Sequence, residues 1–213
     1  MTAVWPGVVF DLDGTLVDTD RHWRAAKADL LRGHGFDGDR VPELPGGSLA
    51  DTARALADAL GRPDAAPIEA ELAERLLAAV AADGVRPLPG VRDLLRTVRA
   101  AGSRVGIAST SPSALVDAIV ARADLDVEIA VGVGRTLRAK PAPDVYVEAC
   151  ACLAVEAGAC LAVEDSAPGV RAARAAGLAV LTVGPRVPGQ GDWHVPSLAR
   201  TAELDRIVLA KGR

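Results

Sequence analysis

Aromatic side chains are scarce in this chain: three Trp, two Phe and one Tyr make up 3% of 213 residues, although half of the residues are hydrophobic. Its interior is therefore expected to be built from Ala, Val and Leu, with closely packed helices and strands. Cysteine is equally rare. Cys150, Cys152 and Cys160 are odd in number, and none of His22, His34 and His194 lies near them, so a Cys/His metal site lacks ligands and small buried thiols are the expected state. No apolar run approaches membrane-spanning length, and residues 1–6 carry no charged leader region, which points to a cytoplasmic protein that engages no membrane. A broad basic field is missing too. The net charge of −4 argues against nucleic acid as a partner, so any anionic substrate must be captured locally. No repeat at a solenoid period is present.

What is present begins with an apolar strand, Val8-Val9-Phe10, that runs straight into Asp11-Leu12-Asp13-Gly14-Thr15-Leu16-Val17-Asp18-Thr19. Two acids one residue apart face the same way if the extended geometry persists, and Gly14 lets the chain turn just beyond. In open α/β sheets ligands bind at this end of strands. Helical spacing follows without strands: Trp23, Ala26, Leu30 and Leu31, then Leu49 to Leu60, then Pro67 to Val80. From Val91 onward helices and short apolar strands alternate: helix 91–101, strand 104–108, helix 112–123, strand 127–131, helix 142–153, strand 160–163, helix 168–176 and strand 179–183. This alternation predicts an α/β fold with a Rossmann-like parallel sheet wrapped by helices. Residues 1–19 and 87–213 form the expected core. Residues 20–86 form an inserted helical cap, hinged near Asp18-Thr19 and Pro87-Pro89. Residues 184–213 read as a loop and a closing helix with no functional signal.

Three later strands also finish in polar residues, giving Ser109-Thr110-Ser111, Arg138-Ala139-Lys140-Pro141 on the following loop, and Glu164-Asp165-Ser166. Singly, Ser109 reads as a loop hydroxyl, Lys140 as a solvated lysine, Ser111 as a helix N-cap before Pro112, and Asp165 or Ser166 as the cap of the helix that Pro168 begins. Jointly they supply a carboxylate pair, a hydroxyl, an ammonium and a second acidic pair, which fits phosphoryl transfer. A carboxylate about 3.5 Å from a phosphate dianion meets repulsion of about 9 kcal/mol at an effective dielectric near 20. Mg²⁺ held by Asp11, Asp165 and Glu164 would offset that charge, while Lys140 and Ser109 neutralise and orient the remaining oxygens. Asp11 is then the nucleophile and Asp13 the acid that protonates the departing alcohol and later activates water.

With these motifs in order, the chain resembles the haloacid dehalogenase superfamily hydrolases that carry a helical cap after their first motif. Residues 11–18 match the first motif, Ser109 the second, Lys140-Pro141 the third, and Glu164-Asp165-Ser166 with Pro168-Gly169-Val170 the fourth. The resemblance implies Mg²⁺ dependence, with ligation by the Asp11 carboxylate, the Asp13 main-chain carbonyl and Asp165. An acid at position 13 favours ester hydrolysis or mutase chemistry over dehalogenation. Similar mutases place a cap histidine where Trp23 stands and an arginine near Leu49. Here both are missing, and His22, one position early, would face about 100° away. Trp23 instead resembles sugar phosphatases, either as core of the cap or as a flat wall for a sugar. The expected activity is hydrolysis of a small phosphorylated sugar or sugar alcohol by a monomer or homodimer. A phosphosugar mutase or a phosphoglycolate-type phosphatase is the alternative. Candidate substrate-binding residues are Thr19, Trp23, Ser109, Thr110 and Lys140. A phosphoryl-accepting signalling receiver would use similar groups, but such modules are smaller and lack the cap.

Overall fold

The computed structural model describes residues 4–36, 47–134, 136–199 and 201–209. Strand β1 (Gly7–Phe10) lies at the centre of a six-stranded parallel sheet of order β3-β2-β1-β4-β5-β6, with β2 at Arg104–Pro112, β3 at Ile129–Val133, β4 at Cys160–Glu164, β5 at Ala179–Val183 and β6 at Trp193–Val195. Each central strand is apolar on both faces, as burial under helices on both sides requires. Val8 and Phe10 of β1 and Leu161 and Val163 of β4 join one core cluster. Val9, Cys160 and Ala162 point into the other. Both clusters are dominated by Ala, Val and Leu, as the shortage of aromatics predicts.

Helices α4 (Val91–Ala100), α5 (Ser113–Ala123), α6 (Asp144–Cys152), α7 (Ala167–Ala175) and α8 (Ala202–Leu209) accompany the sheet. Between β1 and α4 come α1 (Asp20–Gly33), α2 (Leu49–Ala59) and α3 (Ala66–Asp83), with α3 packed on both α1 and α2. Ser48 and Asp51 form a reciprocal capping box on α2, and Pro67 stands in the first turn of α3. The segments that flank these three helices meet each other. Val17 bridges Pro87, and the Leu88 N–H donates to Leu16 O at 2.9 Å.

Several boundaries differ from the sequence expectation. Strand β2 continues to Pro112 instead of stopping at Ala108, because Ser109 and Ser111 remain extended and Pro112 re-pairs with Val133 after a register shift. Ser111 therefore does not cap α5, whose first turn has no side-chain cap. Strand β3 starts two residues later than expected. The stretch after Gly184 contains β6, a strand of three residues anchored by an edge-to-face contact of Trp193 with Trp5, centroids 6.0 Å apart. Among the described residues, no helix is long and apolar enough to cross a membrane.

Candidate active site

The ends of β1, β2 and β4 and the loop before α6 bring their polar residues to one place. Asp11 follows directly on β1, its N–H donating to Val163 O at 2.9 Å, and its side chain is buried. Its Oδ1 accepts a hydrogen bond from Lys140 Nζ at 2.6 Å. The other oxygen, Oδ2, is buried without a hydrogen-bond partner. Lys140 Nζ also donates to Glu164 Oε1 at 2.5 Å and lies 5.0 Å from the centroid of the Tyr146 ring. Burial alone would push the Lys140 ammonium down, but the Asp11 and Glu164 carboxylates reverse this and hold it above the usual lysine range. Burial raises the Asp11 carboxyl well above the usual range, with Glu164 and Asp165 adding to the rise against the pull of Lys140.

Glu164 is saturated. Its Oε1 accepts from Lys140 and from the Tyr146 hydroxyl at 2.8 Å, and its Oε2 accepts from Ser166 Oγ at 3.0 Å and from the N–H groups of Asp165 and Ser166. A Cβ on residue 169 would run into this carboxylate, which explains glycine there. Ser166 caps α7 as expected, accepting from the Gly169 N–H. Asp165 is pushed up to about 6, by burial first and by Glu164 second, while Arg186 and Lys140 oppose the shift. Arg186 Nη1 donates to its Oδ2 at 2.9 Å. Gly14, at φ +87°, passes so close to this carboxylate that a side chain would collide with it.

Strand β1 ends at Phe10, so Asp11 and Asp13 both lie in the turn beyond it and receive different company. Asp13 Oδ1 accepts from Thr19 Oγ1 at 2.5 Å, and its Oδ2 from Ser111 Oγ at 3.0 Å and Ser109 Oγ at 3.4 Å. Thr19 occupies the N-cap position of α1 but its hydroxyl leaves the helix end for Asp13. Asp11 thus meets the Lys140 ammonium, and Asp13 meets three hydroxyls.

Of the residues singled out in the sequence, Asp11, Lys140, Glu164 and Asp165 converge, and Asp13, Ser109 and Thr19 form an adjoining group. Among the described residues no hydrogen bond ties Thr110 or Trp23 to either group; Trp23 is half-buried against the main core cluster. Sequence reasoning missed Tyr146 and Arg186, read Ser111 as a helix cap and set His22 aside. Tyr146 is the single tyrosine of a chain poor in aromatics, a signal that could have found it. His22 is buried with Nε2 2.9 Å from Gly84 O, linking the start of α1 to the return of the chain after α3. Arg186 lies in the C-terminal stretch expected to be silent.

The three carboxylates of Asp11, Glu164 and Asp165 offer oxygens within 4.8 Å of one another. The orphaned Asp11 Oδ2 and the raised Asp165 mark a cluster of three acids faced, among the described residues, by Lys140 and Arg186, and the all-oxygen set suits a hard divalent cation.

Comparison with known proteins agrees with this geometry. Residues 5–177 match the family model of haloacid dehalogenase-like hydrolases. The chain is 34% identical to protein CbbY of Rhodobacter capsulatus, over 92% of this chain and 94% of that protein. It is 32% identical to hexitol phosphatase B of Escherichia coli K12, over 86% of this chain and 85% of the relative. The crystal structure of CbbY from Rhodobacter sphaeroides in complex with phosphate superposes with a TM-score of 0.76 at 26% identity, covering 92% of this chain and 96% of that one.

Proposed function

Since the chain belongs to the haloacid dehalogenase-like hydrolase family, we propose that it is a Mg²⁺-dependent phosphatase for a small phosphorylated sugar or sugar alcohol, working through an aspartyl phosphate on Asp11. The observation that carries this reading is the state of Asp11: one oxygen on the Lys140 ammonium, the other buried and unpartnered beside two more acids. A bound Mg²⁺, held by the Asp11 and Asp165 carboxylates and the Asp13 carbonyl, would supply the positive charge that lets an anionic nucleophile meet an anionic ester.

Asp11 attacks phosphorus and Asp13 gives its proton to the departing sugar oxygen; in the second step Asp13 takes a proton from water, which displaces the phosphoryl group from Asp11. The hydroxyls of Thr19, Ser109 and Ser111 fix the Asp13 carboxyl. Lys140, positioned by Glu164 and Tyr146, exchanges its contact with Asp11 for a phosphate oxygen, and Ser109 orients another. Glu164 thereby acts through Lys140, its oxygens being occupied. Residues 20–86 act as a mobile cap that excludes water, with hinges where Val17 and Pro87 pair, and Trp23 and Thr110 face the substrate when the cap closes. The same reading puts the enzyme in the cytoplasm.

The test is release of inorganic phosphate from a panel of phosphorylated metabolites with Mg²⁺ and with EDTA. Turnover that needs Mg²⁺ and falls at least about 10³-fold in Asp11→Asn is expected. Full hydrolysis by that variant would remove the nucleophile assignment. Conversion of β-glucose 1-phosphate mainly to its isomer would favour a mutase, and a stable phosphoaspartate without turnover a receiver.

A further inference from the structure

Arg186, on the loop between β5 and β6, reaches two acids with one guanidinium. Nη1 donates to Asp165 Oδ2 at 2.9 Å, and Nη2 lies 3.9 Å from Asp20 Oδ2 on the first residue of α1. The two acids differ sharply in setting. The Asp165 side chain is 8% exposed and belongs to the sheet domain, whereas that of Asp20 is 63% exposed and belongs to the helical segment. Arg186 itself is 59% exposed, so it can move at little cost. Its Nη1 also lies 3.4 Å from where a Cβ on Gly14 would stand, so the arginine rests directly over the turn that carries Asp11 and Asp13.

We propose that Arg186 competes with the divalent cation for Asp165 and, once displaced, pairs with Asp20, so that metal loading fastens the helical cap to the core. The inference rests on the metal site of the preceding section. A guanidinium and a divalent cation on the same carboxylate oxygen repel each other and seek the same lone pairs. Asp165 sits beside Glu164 and needs a positive neighbour in the metal-free protein, which Arg186 supplies. When the cation takes over that role, the nearest anion left to Arg186 is Asp20, already within reach of its second nitrogen. The bridge then spans β5–β6 and α1, beside the point where the chain enters the cap.

Calorimetric titration with Mg²⁺ alone, without substrate, tests this in the wild-type chain, Arg186→Ala, Asp20→Asn and the double variant, alongside melts in EDTA. Arg186→Ala is expected to bind Mg²⁺ about 3- to 5-fold tighter while melting lower in EDTA. Asp20→Asn is expected to bind about 2-fold weaker in the wild-type background and to have no effect once Arg186 is gone. Unchanged or weaker binding by Arg186→Ala overturns the competition. An Asp20→Asn effect that persists in the double variant overturns the transfer to the cap. If the wild type binds no Mg²⁺, this inference and the metal reading fall together. If it binds Mg²⁺ but releases no phosphate from any ester, only the catalytic reading falls.

Discussion

Replacing Lys140 with methionine keeps the apolar stem and removes the one ammonium that, among the described residues, touches both Asp11 and Glu164. The side chains of Lys140, Asp11 and Glu164 are 3%, 10% and 0% exposed, so water cannot take over the lost role. Deleting one member of a buried charge group costs about 3–5 kcal/mol. For a chain of this size each kcal/mol moves the melting temperature by about 2–4 °C, so the variant should melt about 6–20 °C lower in EDTA at mildly alkaline pH. The sign of the pH dependence follows from Asp11. Its carboxyl is already raised by burial above 3.8, and without Lys140 it rises further. A carboxyl raised on folding favours the fold below its unfolded value, and that contribution is lost as pH rises through its folded value. The penalty should therefore shrink towards pH 5 and be largest near pH 8. Mg²⁺ should restore more stability to the variant than to the wild type, while phosphate release falls about 10²- to 10³-fold. Melts of Lys140→Met within about 2 °C of the wild type at pH 8 in EDTA, or a penalty constant between pH 5 and pH 8, would refute the reasoning.

Four further outcomes are expected. Asp165, raised from 3.8 to about 6, favours folding of the metal-free protein below pH 4 and withdraws about 3 kcal/mol as pH rises through 6, so the melting shift induced by Mg²⁺ should grow from pH 5 to pH 7.5. Gly14→Ala places a β-carbon against Asp165 at φ +87° and should cost about 1–2 kcal/mol in urea unfolding and weaken Mg²⁺ binding. Tyr146→Phe removes a hydrogen bond to the buried Glu164 side chain and should cost about 1–3 kcal/mol by thermal melts, with a smaller loss of activity than Lys140→Met. Thr19→Val frees one oxygen of Asp13 and should lower kcat about 5- to 10-fold with little change in KM, measured by phosphate release.

The parallel sheet was legible because burial on both faces turns each strand into an uninterrupted apolar run, as in Val8 to Phe10 and Leu161 to Val163, and helices must separate parallel neighbours. The same logic failed where polar residues continue a strand. Ser109 and Ser111 read as loop and helix cap, yet they stay extended because Asp13, 98 residues before Ser111, accepts their hydroxyls. A strand as short as β6 leaves no period to detect, and its place depends on Trp5 at the other end of the chain. Tyr146 and Arg186 belong to the same class. They reach the site across 18 and 21 residues; no local period or motif marks Arg186 for that contact, and Tyr146 stands out only as the single tyrosine of the chain.

Asp11 and Asp13 show how much of the chemistry lies in the surroundings of a motif. By sequence they are two carboxylates one residue apart, told apart only by the order of the motif, with Asp11 read as nucleophile and Asp13 as acid. The fold breaks this symmetry through β4 and β2. On the β4 side, Val163 fixes the main chain of Asp11 and leaves its side chain among Lys140, Glu164 and Asp165, where an ionised form has a buried cation and room for a second. On the β2 side, Asp13 finds hydroxyls, which can donate or accept as the carboxyl changes protonation and so support both halves of a proton-transfer cycle. Thr19, at the N-cap position of α1, joins the second group, so in the mechanism proposed above the acid, unlike the nucleophile, is held in part at the junction with the helical segment. If α1 rotates about the Val17–Pro87 pairing, as the proposed cap movement requires, it would disturb Asp13 before it disturbs Asp11, and an open cap would leave the proposed nucleophile ready while withholding the proposed acid.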